Sequence, residues 1–285
     1  MQINKILVAT DFSNEAYNAL LYSTRLFAKQ ECEFYILNVY DRYTPIQKKA
    51  KHEKVDMAKI EKLKEESVEG LTKTFHKINL DDSNDLHRFK TISKRGSLNQ
   101  VVTETTETLK IDLVVMGNKG QTGAKEIFMG NNTLKVINSM EECPLLAVPK
   151  EVAYIPIKEI AFITDFKKGC NLNTLNPLLL ILKLLNAHLK IVHLREEEIL
   201  NALQESNRKL LEVSLKGIGH SFEAIYEFSS KANAMYSFIK NREITLFSFV
   251  YSKKGFLKRL LQEPVIKDLS IYSNIPFLVL PNRDL

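Results

Sequence analysis

Three glycines stand at a spacing that suits phosphate binding: Gly117, Gly120 and Gly130 form the pattern G-x2-G-x9-G. An apolar run at 113–116 precedes them, and apolar side chains recur at helical intervals from Asn131 onward. Glycine lets a backbone approach a ligand closely, and the first free N–H groups of a helix can point at an anion. The pattern therefore predicts a buried strand, a phosphate-binding loop and a helix.

Simpler roles for these residues stay open. The two common phosphate motifs, G-x-x-x-x-G-K-[ST] and G-x-G-x-x-G, do not occur in the chain. With ten glycines in 285 residues, the observed spacing would arise by chance about 0.01 times. Gly117 and Gly120 could serve simply as turn residues. Asp11 could serve simply as the cap of a helix, although Ser13 is the better capping residue. The spacing to Gly130 favours phosphate binding over simple turns for Gly117 and Gly120, and for Asp11 ligand contact is favoured over capping.

The other chemistry-bearing side chains lack a catalytic or metal-binding spacing. Six histidines show no ligand pattern, and no Ser-His-Asp or Cys-His arrangement can be defined from the sequence. Three cysteines, Cys32, Cys143 and Cys170, have no C-x-x-C spacing and are predicted to be free, buried thiols. The sequence therefore predicts neither catalytic residues nor protein ligands for a metal.

Composition and charge predict a soluble, cytoplasmic protein. The most apolar stretch, 176–192, is interrupted by Lys183 and is shorter than the ~20 residues of a membrane span. The N-terminus shows no signal-peptide pattern. The net charge of +6 is spread through helices that also carry Glu, and the basic clusters lack interleaved aromatic residues. Binding to membranes or nucleic acids is therefore not expected.

An internal repeat divides the chain into two halves. The segment KILVATDF at 5–12 recurs as EIAFITDF at 159–166, and CPLLAVP at 143–149 recurs as IPFLVLP at 275–281. Each half opens on a strand that ends in Thr-Asp-Phe and closes on an apolar strand that ends in Pro. The repeat places a domain boundary near residue 150.

Strand-like runs alternate with helical patterns in both halves. The predicted strands lie at 5–9, 33–39, 86–92, 111–116 and 144–148, then at 158–164, 188–194, 220–228, 244–250 and 276–280, and the predicted helices of the first half lie at 14–29, 47–78, 97–108 and 131–140. This alternation predicts two tandem, doubly wound, parallel five-stranded sheets of the Rossmann-like α/β class, in domains 1–150 and 151–285. The last strands of the halves would otherwise be exposed apolar edges, so we expect the halves to pack as an intrachain pseudo-dimer.

These motifs resemble the universal stress protein family in its tandem, two-domain form. The resemblance covers nearly the whole chain, through TDFS at 10–13, YILNVYD at 35–41, DLVVMGNKG at 112–120, the glycine pattern and CPLLAVP. The family has a five-stranded, adenine nucleotide α hydrolase-like fold, and a large subgroup binds ATP through G-x2-G-x9-G-[ST]. The resemblance therefore implies an adenine nucleotide site in the first half.

The resemblance also implies which residues line that site. Asp11 with Thr10 would line the nucleoside end, the backbone of Val39 would meet the adenine, and Met116, Gly117 and Gly120 would flank ribose and phosphates. The phosphate tail would lie on four residues, Gly130, Asn131, Asn132 and Thr133. A divalent ion such as Mg or Mn would be held mainly by the phosphates. Asn131 departs from the family pattern, because it replaces the hydroxyl of Ser or Thr with an amide.

Three functions from different classes remain open at this point. The first is an ATP-binding regulatory protein of the stress response, acting on a protein partner that the sequence does not identify, as an intrachain pseudo-dimer or a homodimer. The second is a slow ATPase or adenylate-transfer enzyme that uses the same loop. The third is an interaction module that binds no nucleotide.

The second half is expected to have lost its nucleotide site. Aligned from the shared terminal proline, Gly130 corresponds to Gln262, and the next two residues correspond to Glu263 and Pro264. Glu263 would repel a phosphate by about 1 to 4 kcal/mol, and Pro264 lacks an N–H donor. The sequence therefore predicts one nucleotide per chain.

Overall fold

The computed structural model describes most of the chain. The described residues are 2–40, 57–118, 130–140, 142–150, 152–167, 169–194, 199–226, 238, 241–242, 244–251 and 275–281. Within these ranges no helix is both long enough and apolar enough to cross a membrane. Gly120 and the two lysines nearest the predicted phosphate loop, Lys119 and Lys125, lie outside the described residues.

The first half alternates strands and helices as predicted. Its elements are β1 (Lys5–Thr10), α1 (Asn14–Leu26), β2 (Cys32–Tyr40), α2 (Met57–Asp81), β3 (His87–Arg95), α3 (Leu98–Leu109), β4 (Leu113–Gly117), α4 (Asn131–Ser139) and β5 (Leu145–Val148). All five predicted strands are confirmed. The helix predicted from 47 to 78 continues to Asp81, and its predicted part before 57 lies outside the described residues.

The second half repeats this pattern. Its described elements are β6 (Glu159–Thr164), α5 (Leu172–Leu185), β7 (His188–Leu194), α6 (Ala202–Ser214), β8 (His220–Ile225), β9 (Leu246–Val250) and β10 (Phe277–Leu280). The five predicted strands of this half are also confirmed. The segment aligned with the phosphate loop, 252–274, lies outside the described residues, so the loss of the second nucleotide site stays a prediction.

The strands form a single ten-stranded sheet in the order β3-β2-β1-β4-β5-β10-β9-β6-β7-β8. Neighbouring strands run parallel within each half, whereas β5 and β10 pair antiparallel, with Leu146 opposite Leu278. The last strands of the two halves therefore cover each other's edges, which confirms the predicted pseudo-dimer. The boundary near residue 150 lies between β5 and β6 and stays a prediction.

Both faces of the central strands of the sheet are buried, as is typical of a parallel sheet. Alternate residues of β1 enter opposite cores: Ile6 and Val8 face the layer that contains α1 and α5, whereas Leu7 and Ala9 face the layer of α3 and α4. Both cores continue across the β5–β10 junction. Because complete burial of one large apolar side chain contributes roughly 1.5–3 kcal/mol, this shared core stabilises the two halves together.

The connector between the halves packs against α1. The Asn18 side chain donates to the carbonyls of Pro149 and Val152, at 3.1 Å each, and the rings of Tyr22 and Tyr154 meet edge to face at 5.4 Å. These contacts hold the start of α1 close to the ends of β4 and β5. They thereby position the edge at which the predicted site lies.

Candidate functional site

The predicted site lies where the winding of the first sheet reverses. The chain runs outward from β1 to β2 and β3, and then returns to the opposite side of β1 to form β4. Ligands in such sheets lie beyond the carboxyl ends of the strands at this switch point. Ala9 pairs with Met116, so the ends of β1 and β4 meet at one edge. The structure thus brings Thr10 and Asp11 together with Gly117.

The turn after β1 is held by side chains of its own residues. The Thr10 hydroxyl oxygen accepts a hydrogen bond from the Phe12 N–H at 3.0 Å, and Phe12 has a left-handed backbone with φ of 63°. Asp11 Oδ1 accepts from the Ser13 N–H at 3.1 Å and from the Ser13 hydroxyl at 2.5 Å. Ser13 in turn caps α1 by accepting from the Ala16 N–H. Asp11 therefore orients the capping residue and does not itself cap the helix.

Gly117 lies where helix α1 packs closely against the end of β4. A Cβ on this residue would lie 3.3 Å from the backbone carbonyl of Glu15 and 3.4 Å from the Ala16 nitrogen. Such contacts are tighter than most side chains accept, because the neighbours are backbone atoms of the first turn of α1. Gly117 therefore permits the close approach of α1 to the end of β4. This role does not depend on a ligand, and the predicted contact of Gly117 with ribose or phosphate stays a prediction.

The start of α4 is fastened to the end of β4. Gly130 is the N-cap residue, and its N–H donates to the Asn118 carbonyl at 2.7 Å. The hydroxyl of the buried Thr133 donates to the Gly117 carbonyl at 3.0 Å. Asn131 and Asn132 are exposed, and the N-cap residue, being glycine, has no side chain with which to cap this helix start. The first turn of α4 thus lies at the same edge as Asp11.

Val39 extends β2 beyond the last residue of β1. It is 3% exposed, and it follows Asn38, which pairs in register with Thr10. Asn38 donates from its amide to the Thr10 carbonyl at 2.8 Å. Asn38 is absent from the residues that the sequence pattern predicts. An amide side chain within the otherwise apolar run 34–39 is the signal that could have revealed it.

Acidic, histidine and cysteine side chains do not form a metal site in the described part of the chain. No group of three or more of them could hold a metal ion there. The three cysteines are free thiols; Cys32 and Cys170 are buried, and Cys143 is partly buried. Burial raises the pKa of the Cys32 thiol to about 12. Because the thiolate is the reactive form, Cys32 is an inert core residue.

Sequence comparison places this arrangement in a known family. The sequence profile of the universal stress protein family matches residues 2–149. The chain belongs to the universal stress protein family. A universal stress protein of Methanocaldococcus jannaschii is 29% identical over 148 residues, which make up 51% of this chain and 82% of the relative.

Solved structures extend the likeness of fold to both halves. A universal stress protein from Archaeoglobus fulgidus superposes with a TM-score of 0.69 at 17% identity, covering 98% of this chain and 96% of its own. A putative universal stress protein from Pseudomonas aeruginosa gives a TM-score of 0.54 at 11% identity, covering 98% and 93%. At these identities the likeness concerns the fold alone. It agrees with a tandem arrangement of two α/β units.

Proposed function

We propose that the first half of this universal stress protein binds ATP and that the protein acts as a nucleotide-dependent regulator of a stress response. One observation carries the proposal: the ends of β1 and β4 and the first turn of α4 meet at the switch point of the sheet. This is the position at which parallel α/β sheets hold nucleotides. The two ends of this site differ in chemistry, which suits a ligand that has a nucleoside at one end and a phosphate tail at the other.

The phosphate tail would lie on the first turn of α4. The backbone N–H groups of Asn131, Asn132 and Thr133 begin a helix whose N-cap residue, Gly130, has no side chain to cap it. A helix start favours a negative group by roughly 0.3–1 kcal/mol when it is exposed. The Thr133 hydroxyl already donates to Gly117, so we assign the phosphate contact of Thr133 to its backbone N–H. The Asn131 amide takes the place of the hydroxyl that is usual after the last glycine.

The nucleoside would lie at the ends of β1 and β2. Asp11 offers a carboxylate to the ribose hydroxyls, and the backbone of Val39 lies beyond the end of β1, where a base can reach it. Thr10 shapes the turn through its bond to Phe12. Met116 is only 6% exposed, so we assign it the role of a wall at the end of β4. A divalent ion would be carried by the phosphates.

The domain division is part of the proposal. A nucleotide-binding domain would comprise residues 1–150, and a degenerate domain without a nucleotide would comprise residues 151–285. In the second half, Glu263 and Pro264 stand where the first half has Asn131 and Asn132. A carboxylate and a missing N–H at this position both disfavour an anion.

Titration calorimetry with ATP and magnesium tests the proposal. We expect binding at a stoichiometry near one ATP per chain, and an adenine nucleotide in the extract of the denatured, purified protein. Overnight incubation with labelled ATP should leave the nucleotide largely intact, because a regulator needs binding and not turnover. A stoichiometry near two would contradict the loss of the second site. No heat of binding and no thermal shift with ATP would contradict the proposal as a whole.

A further inference from the structure

The last carbonyl of β1 is held by a side chain from the neighbouring strand. Asn38 Nδ2 donates to the Thr10 carbonyl at 2.8 Å, and the two residues are partners in the β1–β2 register. Both are only 6% exposed, so water competes little for this bond. A carbonyl shares its peptide plane with the N–H of the next residue. The bond therefore fixes the orientation of the peptide that leads into Asp11.

The second half makes the same contact with a different side chain. His193 is the register partner of Thr164 at the end of β6, and its Nδ1 lies 3.0 Å from the Thr164 carbonyl. Because a carbonyl can only accept, Nδ1 carries the proton in this bond. Asparagine and histidine thus supply a donor at equivalent places in the two halves. The position requires a donor of suitable reach and is not restricted to an amide.

We propose that Asn38 is a positioning residue for the nucleoside end of the nucleotide site. The proposal rests on the proposed function, in which Asp11 and the backbone of Val39 contact the nucleoside. Asn38 lies between these two contacts: its side chain holds the peptide before Asp11, and its own carbonyl belongs to the peptide before Val39. It therefore sets the distance between the carboxylate and the backbone that would meet the base.

The two side-chain bonds described within the turn do not link it to β2. The Thr10 hydroxyl bonds to Phe12, and Asp11 bonds to Ser13, so both bonds join residues two apart within the turn. They keep the shape of the turn, whereas its position relative to β2 is set at Thr10, which pairs with Asn38 in the ladder and accepts from the Asn38 amide. The Asn38 amide bonds across to the neighbouring strand. Loss of this donor would let the turn shift against β2 while it keeps its local shape.

Three variants of the full chain test the proposal by titration calorimetry with ATP. Asn38→Leu keeps the size of the side chain and removes the donor, and we expect the Kd for ATP to rise about tenfold. Asn38→His restores a donor of the kind that the second half uses, and we expect a Kd within about threefold of the unmodified protein. His193→Leu is the matched control, because it removes the same bond in the second half. We expect it to leave the ATP affinity unchanged.

The outcomes separate positioning from general stability and from the proposed function. Equal ATP affinity in Asn38→Leu and the unmodified protein, or failure of Asn38→His to restore binding, would overturn the role of Asn38. A loss of affinity in His193→Leu as large as that in Asn38→Leu would overturn it too, because the effect would then be general. Should Asn38→Leu not fold, Asn38→Ser replaces it, since its hydroxyl is too short to reach the Thr10 carbonyl. An unmodified protein that binds no ATP would instead overturn the proposed function.

Discussion

The two halves build the same turn at the end of their first strand and then surround it differently. In both, a Thr hydroxyl accepts from a Phe N–H at 3.0 Å, and the Phe backbone is left-handed, with φ of 63° at Phe12 and 52° at Phe166. Yet Phe12 is 38% exposed, whereas Phe166 is 3% exposed and packs against the ring of His193 at 4.8 Å. The same local geometry is thus open in one half and buried in the other.

The helix that covers each turn accounts for this difference. In the second half, α6 sends Gln204 to the Asp165 carbonyl at 3.0 Å and Asn207 to the Phe166 carbonyl at 2.8 Å. In the first half, α2 presents Gly70, where an added Cβ would lie 2.5 Å from the Phe12 ring. Helix α6 donates hydrogen bonds to the backbone of its turn, whereas Gly70 of α2 lets the Phe12 ring lie directly against the helix. A duplicated unit can therefore keep its turn while the packing around that turn changes.

The largest expected effect on ligand binding is the loss of ATP binding in Gly130→Val. The two methyls would block the approach of phosphate to the start of α4, and the extended backbone of Gly130, with φ of −61°, can be adopted by any residue. We expect at least about a 100-fold rise in Kd, equivalent to about 2.7 kcal/mol, with an unchanged circular dichroism spectrum. Gln262→Val, at the aligned position of the second half, should bind ATP normally. Unchanged affinity in Gly130→Val would remove the basis for a site at this edge.

The second prediction compares the buried Phe166 with the partly exposed Phe12. Phe166→Ala should lower the free energy of unfolding by about 3–5 kcal/mol, because it empties a buried position. Phe12→Ala should lower the free energy of unfolding by about 1 kcal/mol or less, because the Phe12 ring is partly exposed to solvent. Urea denaturation followed by circular dichroism measures both. Equal losses in the two variants would show that the turns do not differ in packing as the structure indicates.

A smaller effect is expected when the closing hydrogen bonds of α6 are removed. The Gln204 side chain completes a capping box with Asn201 and also donates to the Asp165 carbonyl. Gln204→Ala should therefore lower the free energy of unfolding by about 2 kcal/mol. Ser67→Ala on α2 loses one hydrogen bond to Ser93 and should cost about 1 kcal/mol. Urea denaturation that gave a larger loss for Ser67→Ala would reverse the proposed contrast between the helices.

The smallest effect concerns thiol reactivity in the folded protein. Cys32 and Cys170 are 3% and 5% exposed, whereas Cys143 is partly buried. Burial raises the pKa of Cys32 to about 12, so its thiolate stays a very small fraction of the thiol between pH 7 and 9, and its alkylation should stay slow throughout that range. We expect one fast thiol per chain, Cys143, in mass spectrometry after iodoacetamide treatment. Fast labelling of Cys170 would show that the segment between β6 and α5 opens readily.

Local patterns were sufficient to predict the elements. The strands of both halves, the start of α1 at Ser13 and the internal repeat follow from periodicity and capping chemistry, which involve residues a few positions apart. The shared Thr-Asp-Phe turn has the same origin, since its hydrogen bonds join residues two apart. The sequence by itself therefore determined the fold class and the pairing of the halves through their last strands, and it predicted the residues of a site at the switch point.

Contacts between distant residues decided the rest. The sequence offers no measure of how closely Gly117 approaches Glu15, of the bond from Thr133 to Gly117, or of the Asn38 amide on the Thr10 carbonyl. Sequence alone also could not show that α6 closes the second strand end, because Gln204 lies 39 residues from Asp165. Periodicity specifies which face of an element is apolar. The tertiary structure alone decides which side chain of a neighbouring element arrives there, because that depends on how the elements pack.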